Sequence, residues 1–222
     1  MRPVPPRLYV ITDRRATNGR PVADVVRAAL TGVPAEARGA VAVQLRDKDL
    51  DERALLALAR ELRAVTRDAG APLWINGAVE VALAVGADGL HLGVAGPRPD
   101  EVARLDPELP LAISTHTRAE VEAARSAPNV VFAVFGPIWE TPSKRAYGPP
   151  VGLEALREAV SVGPPLVALG GVTPARAAAC RQAGAVGVAC VRVISEAPDP
   201  AAVVREFLSV PESVSQNAMK RT

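Results

Sequence analysis

Cysteine is nearly absent from the chain, which holds only Cys180 and Cys190. Two cysteines are too few for a disulfide framework and form no metal-ligand cluster. Both stand among apolar residues, as small buried thiols do. Histidine is as scarce: His91 and His116 are the whole supply, so any imidazole chemistry uses one of them. A surplus of either charge is also lacking, with 26 Lys and Arg against 24 Asp and Glu and a formal net charge of +2. That balance argues against nucleic acid or an anionic membrane surface as the main partner. No apolar run reaches the length of a membrane span. The start, MRPVPPRLYVITD, lacks the long apolar core and small-residue cleavage site of a signal peptide, so a cytoplasmic location is expected.

What the chain does have is 222 residues, 49% of them hydrophobic, enough for one domain with a large core or at most two small ones. Short apolar, β-branched runs recur at Leu8–Thr12, Ala40–Leu45, Leu73–Asn76, Gly89–Leu92, Leu111–Ser114, Val130–Phe135, Leu166–Leu169 and Val186–Val191. Each is too short for a helix and is continuous rather than alternating, the pattern of parallel strands covered on both faces. Helical patterns lie between them. Asp51–Ala69 puts Leu55, Leu58, Leu62 and Val65 on one face, with Gly70 placed to end it. Thr117 to Glu120 is a capping-box pattern, and Thr173-Pro174 and Asp199-Pro200 read as N-cap and first helical position. Further helices are expected at Pro21–Leu30, Gly77–Val85, Pro99–Leu105 and Gly152–Val160. Strand and helix alternating in this way predict a single-domain (β/α)₈ TIM barrel over residues 1–210, with a polar, unpatterned tail at 211–222 that is expected to be disordered. An open doubly wound sheet is the alternative, weakened because no Gly-x-Gly-x-x-Gly follows the first strand.

In a barrel the site lies at the carboxyl ends of the strands. After strand two stand Gln44, Arg46 and Lys48, which alternation sends the same way while the chain stays extended. They suit an anion. A self-paired surface cluster, Arg46–Asp47–Lys48–Asp49, is the competing reading. Asn76 follows strand three, where it would cap the next helix. His91 falls inside strand four and reads as a core histidine. Ser114, Thr115 and His116 follow strand five, and His116 precedes the capping Thr117, near the positive end of a helix that disfavours an imidazolium. A neutral imidazole there can take and return a proton. The stretch from Gly136 to about Val151 is the longest without an apolar period, and it carries Thr141, Pro142, Ser143 and Lys144, hydroxyls and a cation suited to phosphate. Trp139 and Tyr147 are placed to cover a ligand; a solvated loop is the plainer reading. After strands seven and eight come Gly170-Gly171 before a helix start and Val191-Arg192, the usual phosphate slot of a barrel.

Taken in order, LYVITD (8–13), QLRDKD (44–49), IN (75–76), ADGLHLG (87–93), ISTHT (113–117), FGPIWETPSK (135–144), ALGGVTP (168–174) and AGAVGVACV (183–191) resemble the thiamin phosphate synthase/TenI superfamily from Leu8 to about Leu208. The resemblance implies a (β/α)₈ barrel working on thiamin precursors. It implies that Gln44, Arg46, Lys48, Asn76, Ser114 and Lys144 face a pyrimidine diphosphate. It also implies that Thr141, Pro142, Ser143, Gly171, Val191 and Arg192 hold a thiazole phosphate.

The departures bear on the subtype. Synthases resembling this sequence carry aspartates after strands three and four that hold magnesium; here those positions are Gly77 and Gly96. Arg192 stands where a serine is usual. The TenI-type thiazole tautomerases have Asn-Gly after strand three and a histidine after strand five, matching His116. The expectation is therefore a thiazole tautomerase that isomerises a carboxylated thiazole phosphate, with His116 as its acid/base, Lys144 or Arg46 on the carboxylate, and neither metal nor other cofactor. The alternative is a thiamin phosphate synthase, a Mg²⁺-dependent transferase joining hydroxymethylpyrimidine diphosphate to thiazole phosphate. A third is a non-catalytic thiazole-phosphate-binding regulator. The expected partner is the small-molecule thiazole phosphate, without nucleic acid or membrane, and a homo-oligomer stays open.

Overall fold

The computed structural model describes residues 4–141 and 149–210. Eight parallel strands close into a barrel in sequence order. They are β1 (Leu8–Ile11), β2 (Val41–Leu45), β3 (Leu73–Asn76), β4 (Gly89–Leu92), β5 (Leu111–Thr115), β6 (Val130–Phe135), β7 (Leu166–Leu169) and β8 (Gly187–Cys190). Closure is by β1 on β8, with Leu8 opposite Val188 and Val10 opposite Cys190. The expected strands are these, with ends shifted by a residue.

The helices are α1 (Val22–Thr31), α2 (Glu52–Ala69), α3 (Val79–Val85), α4 (Pro99–Leu105), α5 (Arg118–Ala124), α6 (Gly152–Ala159), α7 (Pro174–Gln182), α8 (Arg192–Ser195) and α9 (Pro200–Ser209). Asp51 caps α2 by accepting from the Ala54 amide, and Gly70 ends it in the left-handed region. Thr117 and Glu120 form the capping box of α5. Thr173 is the N-cap of α7 but makes no side-chain cap bond. The short α8 has no counterpart in the sequence reading, since its four residues span barely one turn. No helix among the described residues is long and apolar enough to cross a membrane.

Alternation along the strands separates two cores. Outward residues such as Val43, Leu73, Leu111 and Ala168 pack against the helices. Inward residues, among them Tyr9, Ala42, Trp74, Ala112, Phe132 and Val167, fill the barrel. Tyr9 meets Trp74 and Phe132 edge-on, with centroids 6.4 and 5.5 Å away. Gly89 makes room for the indole, because a Cβ there would lie 2.3 Å from Trp74 Cζ3. Two positions beyond Ala42, Trp74, Gly89 and Ala112 on their strands come Gln44, Asn76, His91 and Ser114. The same alternation that buries the aromatic plug therefore turns these polar side chains into the upper barrel.

Candidate active site

On the β1–β2 side, the mouth is organised by acids that lie between the expected ligands. Asp47 is 8% exposed and sits 3.4 Å from Arg14 Nε. Burial raises its carboxyl above the usual range, and Arg14 partly opposes this. Asp49 pairs with Arg14 and, at 2.8 Å, with Arg15. The self-paired cluster of residues 46 to 49 does not form: the acids turn to cations from the segment after β1. Among the described residues Arg46 and Lys48 pair with no carboxylate. The Arg46 amide donates to Thr12 Oγ1 at 3.0 Å, fixing the chain where its guanidinium leaves β2.

Asn76 ends β3 but does not cap α3, whose N-cap is Ala78. Its side chain is thus free of the structural role that the sequence assigned to it. His91 lies 2.9 Å through Nε2 from Ser114 Oγ and 3.4 Å through Nδ1 from Tyr9 Oη. Burial pushes its imidazole down to about 3, with Arg46 adding in the same direction. His91 therefore links two inward strand ends, a role hidden from sequence because its partners lie 82 and 23 residues away.

His116 stands just before Thr117, half-buried. Its amide donates to Glu120 Oε2, and its Nδ1–H donates to the Gly136 carbonyl. Nε2 is then the ring nitrogen left for a substrate proton.

The loops after β6 and β7 are seated back to back. Ile138 and Trp139 amides donate to the Leu169 and Gly170 carbonyls at 2.8 and 3.0 Å, and Val151 N–H returns to Pro137 O at 2.8 Å. A Cβ at Gly136 would lie 2.0 Å from Leu169 O, and one at Gly170 2.5 Å from Pro137 Cα. Gly170 and Gly171 have φ of 103° and 64°, which favours glycine at both. Arg176, which the sequence reading missed, donates to Gly171 O at 2.9 Å and stacks 5.0 Å above Trp139. Among the described residues the Gly171 and Val172 amides donate to no protein acceptor. Val191 opens α8, and Arg192, 55% exposed, lies 3.8 Å from Glu196. Thr141 is described; Pro142, Ser143, Lys144 and Tyr147, like the tail at 211–222, lie outside the described residues.

Magnesium held through protein carboxylates does not fit this donor set. The end of β3 offers Gly77, at φ 73° with open space around it, and the loop after β4 offers Gly96, packed against Gly93 O. Among the described residues no group of three His, Cys, Asp or Glu is arranged to hold an ion.

The family model described as thiamine monophosphate synthase matches residues 8–194. The thiamine-phosphate synthase of Roseiflexus sp. strain RS-1 is 43% identical, covering 91% of this chain and 84% of its own. That of Moorella thermoacetica is 41% identical, covering 91% and 94%. A solved structure, the thiamine phosphate pyrophosphorylase from Pyrococcus furiosus, superposes with a TM-score of 0.81 at 31% identity, covering 92% of this chain and 94% of that one. A 3-hexulose-6-phosphate synthase, 16% identical with a TM-score of 0.61, shares the barrel. These likenesses overturn the thiazole tautomerase expectation, since the relatives carry the synthase name. Gly77 and Gly96 carried that expectation, and they outweigh neither the family match nor these identities.

Proposed function

Because the chain belongs to the thiamine monophosphate synthase family, we propose that it is a transferase joining a pyrimidine diphosphate to a thiazole phosphate with release of diphosphate. The observation that carries this reading is the sorting of charge at the mouth. Asp47 and Asp49 are drawn to Arg14 and Arg15, so Arg46 and Lys48 keep their positive charge for an anion. Coupling requires diphosphate to leave, and cations fixed where that charge develops lower its barrier. Asn76 and Ser114, at the ends of β3 and β5, offer neutral donors beside the same opening, whereas Gln44 is buried behind them with its amide nitrogen on Tyr9 Oη, so the expected direct contact from Gln44 gives way to a supporting one.

The thiazole phosphate takes the opposite side. The Gly171 and Val172 amides, the α7 N-terminus and Val191 at the start of α8 form its cradle. The Glu140 carbonyl lies against Gly171, and Thr141, Pro142, Ser143 and Lys144 follow it in sequence. Arg192 stands beside this cradle as a further cation. His116 follows β5, and with Nδ1–H donating to the Gly136 carbonyl its Nε2 is left for substrate.

The test is direct. Purified protein is given hydroxymethylpyrimidine diphosphate and thiazole phosphate, with and without magnesium chloride, and product is measured by fluorescence after oxidation to the thiochrome. Thiamin phosphate and diphosphate in equal amounts support the reading. No product in either buffer, from protein that is folded by circular dichroism, overturns it.

A further inference from the structure

Four side chains from four strands make one hydrogen-bonded row across the upper barrel. Gln44 Nε2 donates to Tyr9 Oη at 3.1 Å, Tyr9 Oη lies 3.4 Å from His91 Nδ1, and His91 Nε2 lies 2.9 Å from Ser114 Oγ. The first three residues are buried and Ser114 is half-buried, so the row runs from the interior to the mouth. Burial holds the Tyr9 phenol protonated and the His91 ring neutral, so the row carries a fixed number of protons.

Proton counting gives the row a direction. The Gln44 amide nitrogen is only a donor, so it occupies a lone pair of Tyr9. The Tyr9 proton then needs an acceptor, and His91 Nδ1 is the one in reach. A neutral ring with Nδ1 bare carries its proton on Nε2, which points at Ser114. The Ser114 oxygen thereby receives a hydrogen bond, and its own proton is left for the mouth. In the opposite tautomer Tyr9 would face two donors and its proton would have no acceptor in the row. Ser114 would spend its proton on His91 and turn lone pairs toward an anion that can only accept.

Building on the synthase reading above, we propose that His91 is a positioning residue: the row from Gln44 through Tyr9 and His91 fixes the Nε2–H tautomer and aims the Ser114 hydroxyl proton at the departing diphosphate. His91 is thus a working part of the site rather than a core histidine. The Ser114 donor adds to the cations at the same opening, and it costs no reorientation when diphosphate charge develops.

The ring of His91 can be read without turnover. The chain has two histidines, so a spectrum of ¹⁵N-histidine-labelled protein is assigned with a His91→Gln variant. With saturating inorganic diphosphate, long-range ¹H–¹⁵N correlation is expected to show Nδ1 bare and Nε2 protonated for His91. An Nδ1–H ring with diphosphate bound overturns the row, whatever the enzyme's activity. A double-mutant cycle supplies the second readout. Tyr9→Phe keeps the aromatic packing but removes the donor to Nδ1, and is expected to weaken diphosphate binding by roughly three- to tenfold, measured by calorimetry. In a Ser114→Ala background the same change is expected to have almost no effect, because the hydroxyl it serves is gone. Equal losses in both backgrounds would mean that Tyr9 acts through packing, and the row would fall. A protein with the expected tautomer and cycle that makes no thiamin phosphate would sink the synthase reading alone.

Discussion

Acid should destabilise this protein through His91, and the size of the effect follows from its surroundings. The ring is 3% exposed and its pKa is pushed down to about 3, whereas in the unfolded chain it titrates near ~6.5. The sign follows from proton binding. Below ~6.5 the unfolded chain takes up a proton that the folded protein refuses, so stability is full above that pH and drains away as pH falls toward 3. The loss attributable to His91 is about 2 kcal/mol at pH ~5 and about 3 kcal/mol at pH ~4. Either figure is a large share of a domain's total stability. Urea unfolding of the parent and of His91→Gln, at several values between pH ~8 and ~4.5, isolates the contribution. Every other ionisable group is common to both proteins and cancels in the difference. His91→Gln is expected to be less stable at neutral pH by about 1–3 kcal/mol, since its partners lose a bond. The gap is expected to narrow by about 2 kcal/mol as pH falls to ~5, because the variant lacks the proton acceptor. Parallel stability curves would refute the reasoning and mean that His91 accepts a proton within the fold.

Three further outcomes are expected. Gly171→Arg places a side chain at φ 64°, with its Cβ 2.8 Å from Trp139 Cβ; affinity for thiazole phosphate, read by calorimetry, is expected to drop by at least about tenfold while the circular dichroism spectrum is kept, and unchanged affinity would put the phosphate elsewhere. Gly136→Ala drives a methyl group toward Leu169 O and is expected to destabilise by about 1–3 kcal/mol in urea, whereas a neutral result would show that the paired loops can separate. Gly77→Asp with Gly96→Asp supplies two carboxylates; the stimulation of product formation by magnesium is expected to be greater in the double variant than in the parent or either single, and equal stimulation in all four would mean that the ion binds elsewhere.

The barrel was readable because its strands are written as continuous apolar runs, a consequence of burial on both faces. Alternation pointed Gln44 and Arg46 one way along β2, while Asn76 and Ser114 were placed at the site by the family resemblance alone. Contacts between distant segments were not readable. Nothing local marks Asp47 as a partner of Arg14, Arg176 as a partner of Trp139, or Tyr9 as a partner of His91. Asn76 looked like a helix cap because the helix start was placed two residues too early. The subtype was misjudged for a chemical reason. Two absent carboxylates speak only to how an ion is held, whereas the cations at positions 46 and 48 fit the diphosphate of the proposed reaction. The acids between those cations pair instead with Arg14 and Arg15 of the segment after β1, a pairing that linear spacing does not disclose.

The seating of the β6 loop against the β7 turn limits what this barrel can exchange. Barrel loops are commonly treated as interchangeable cassettes on an inert frame. Here the cassette has a larger unit. A foreign loop carrying any side chain at position 136 would collide with the backbone behind it, and a new turn at 170 would collide with the proline in front. Transplanting substrate preference into or out of this protein therefore calls for moving residues 136 to 173 together, with α6 and β7 included, so that both halves of the interlock arrive from one parent.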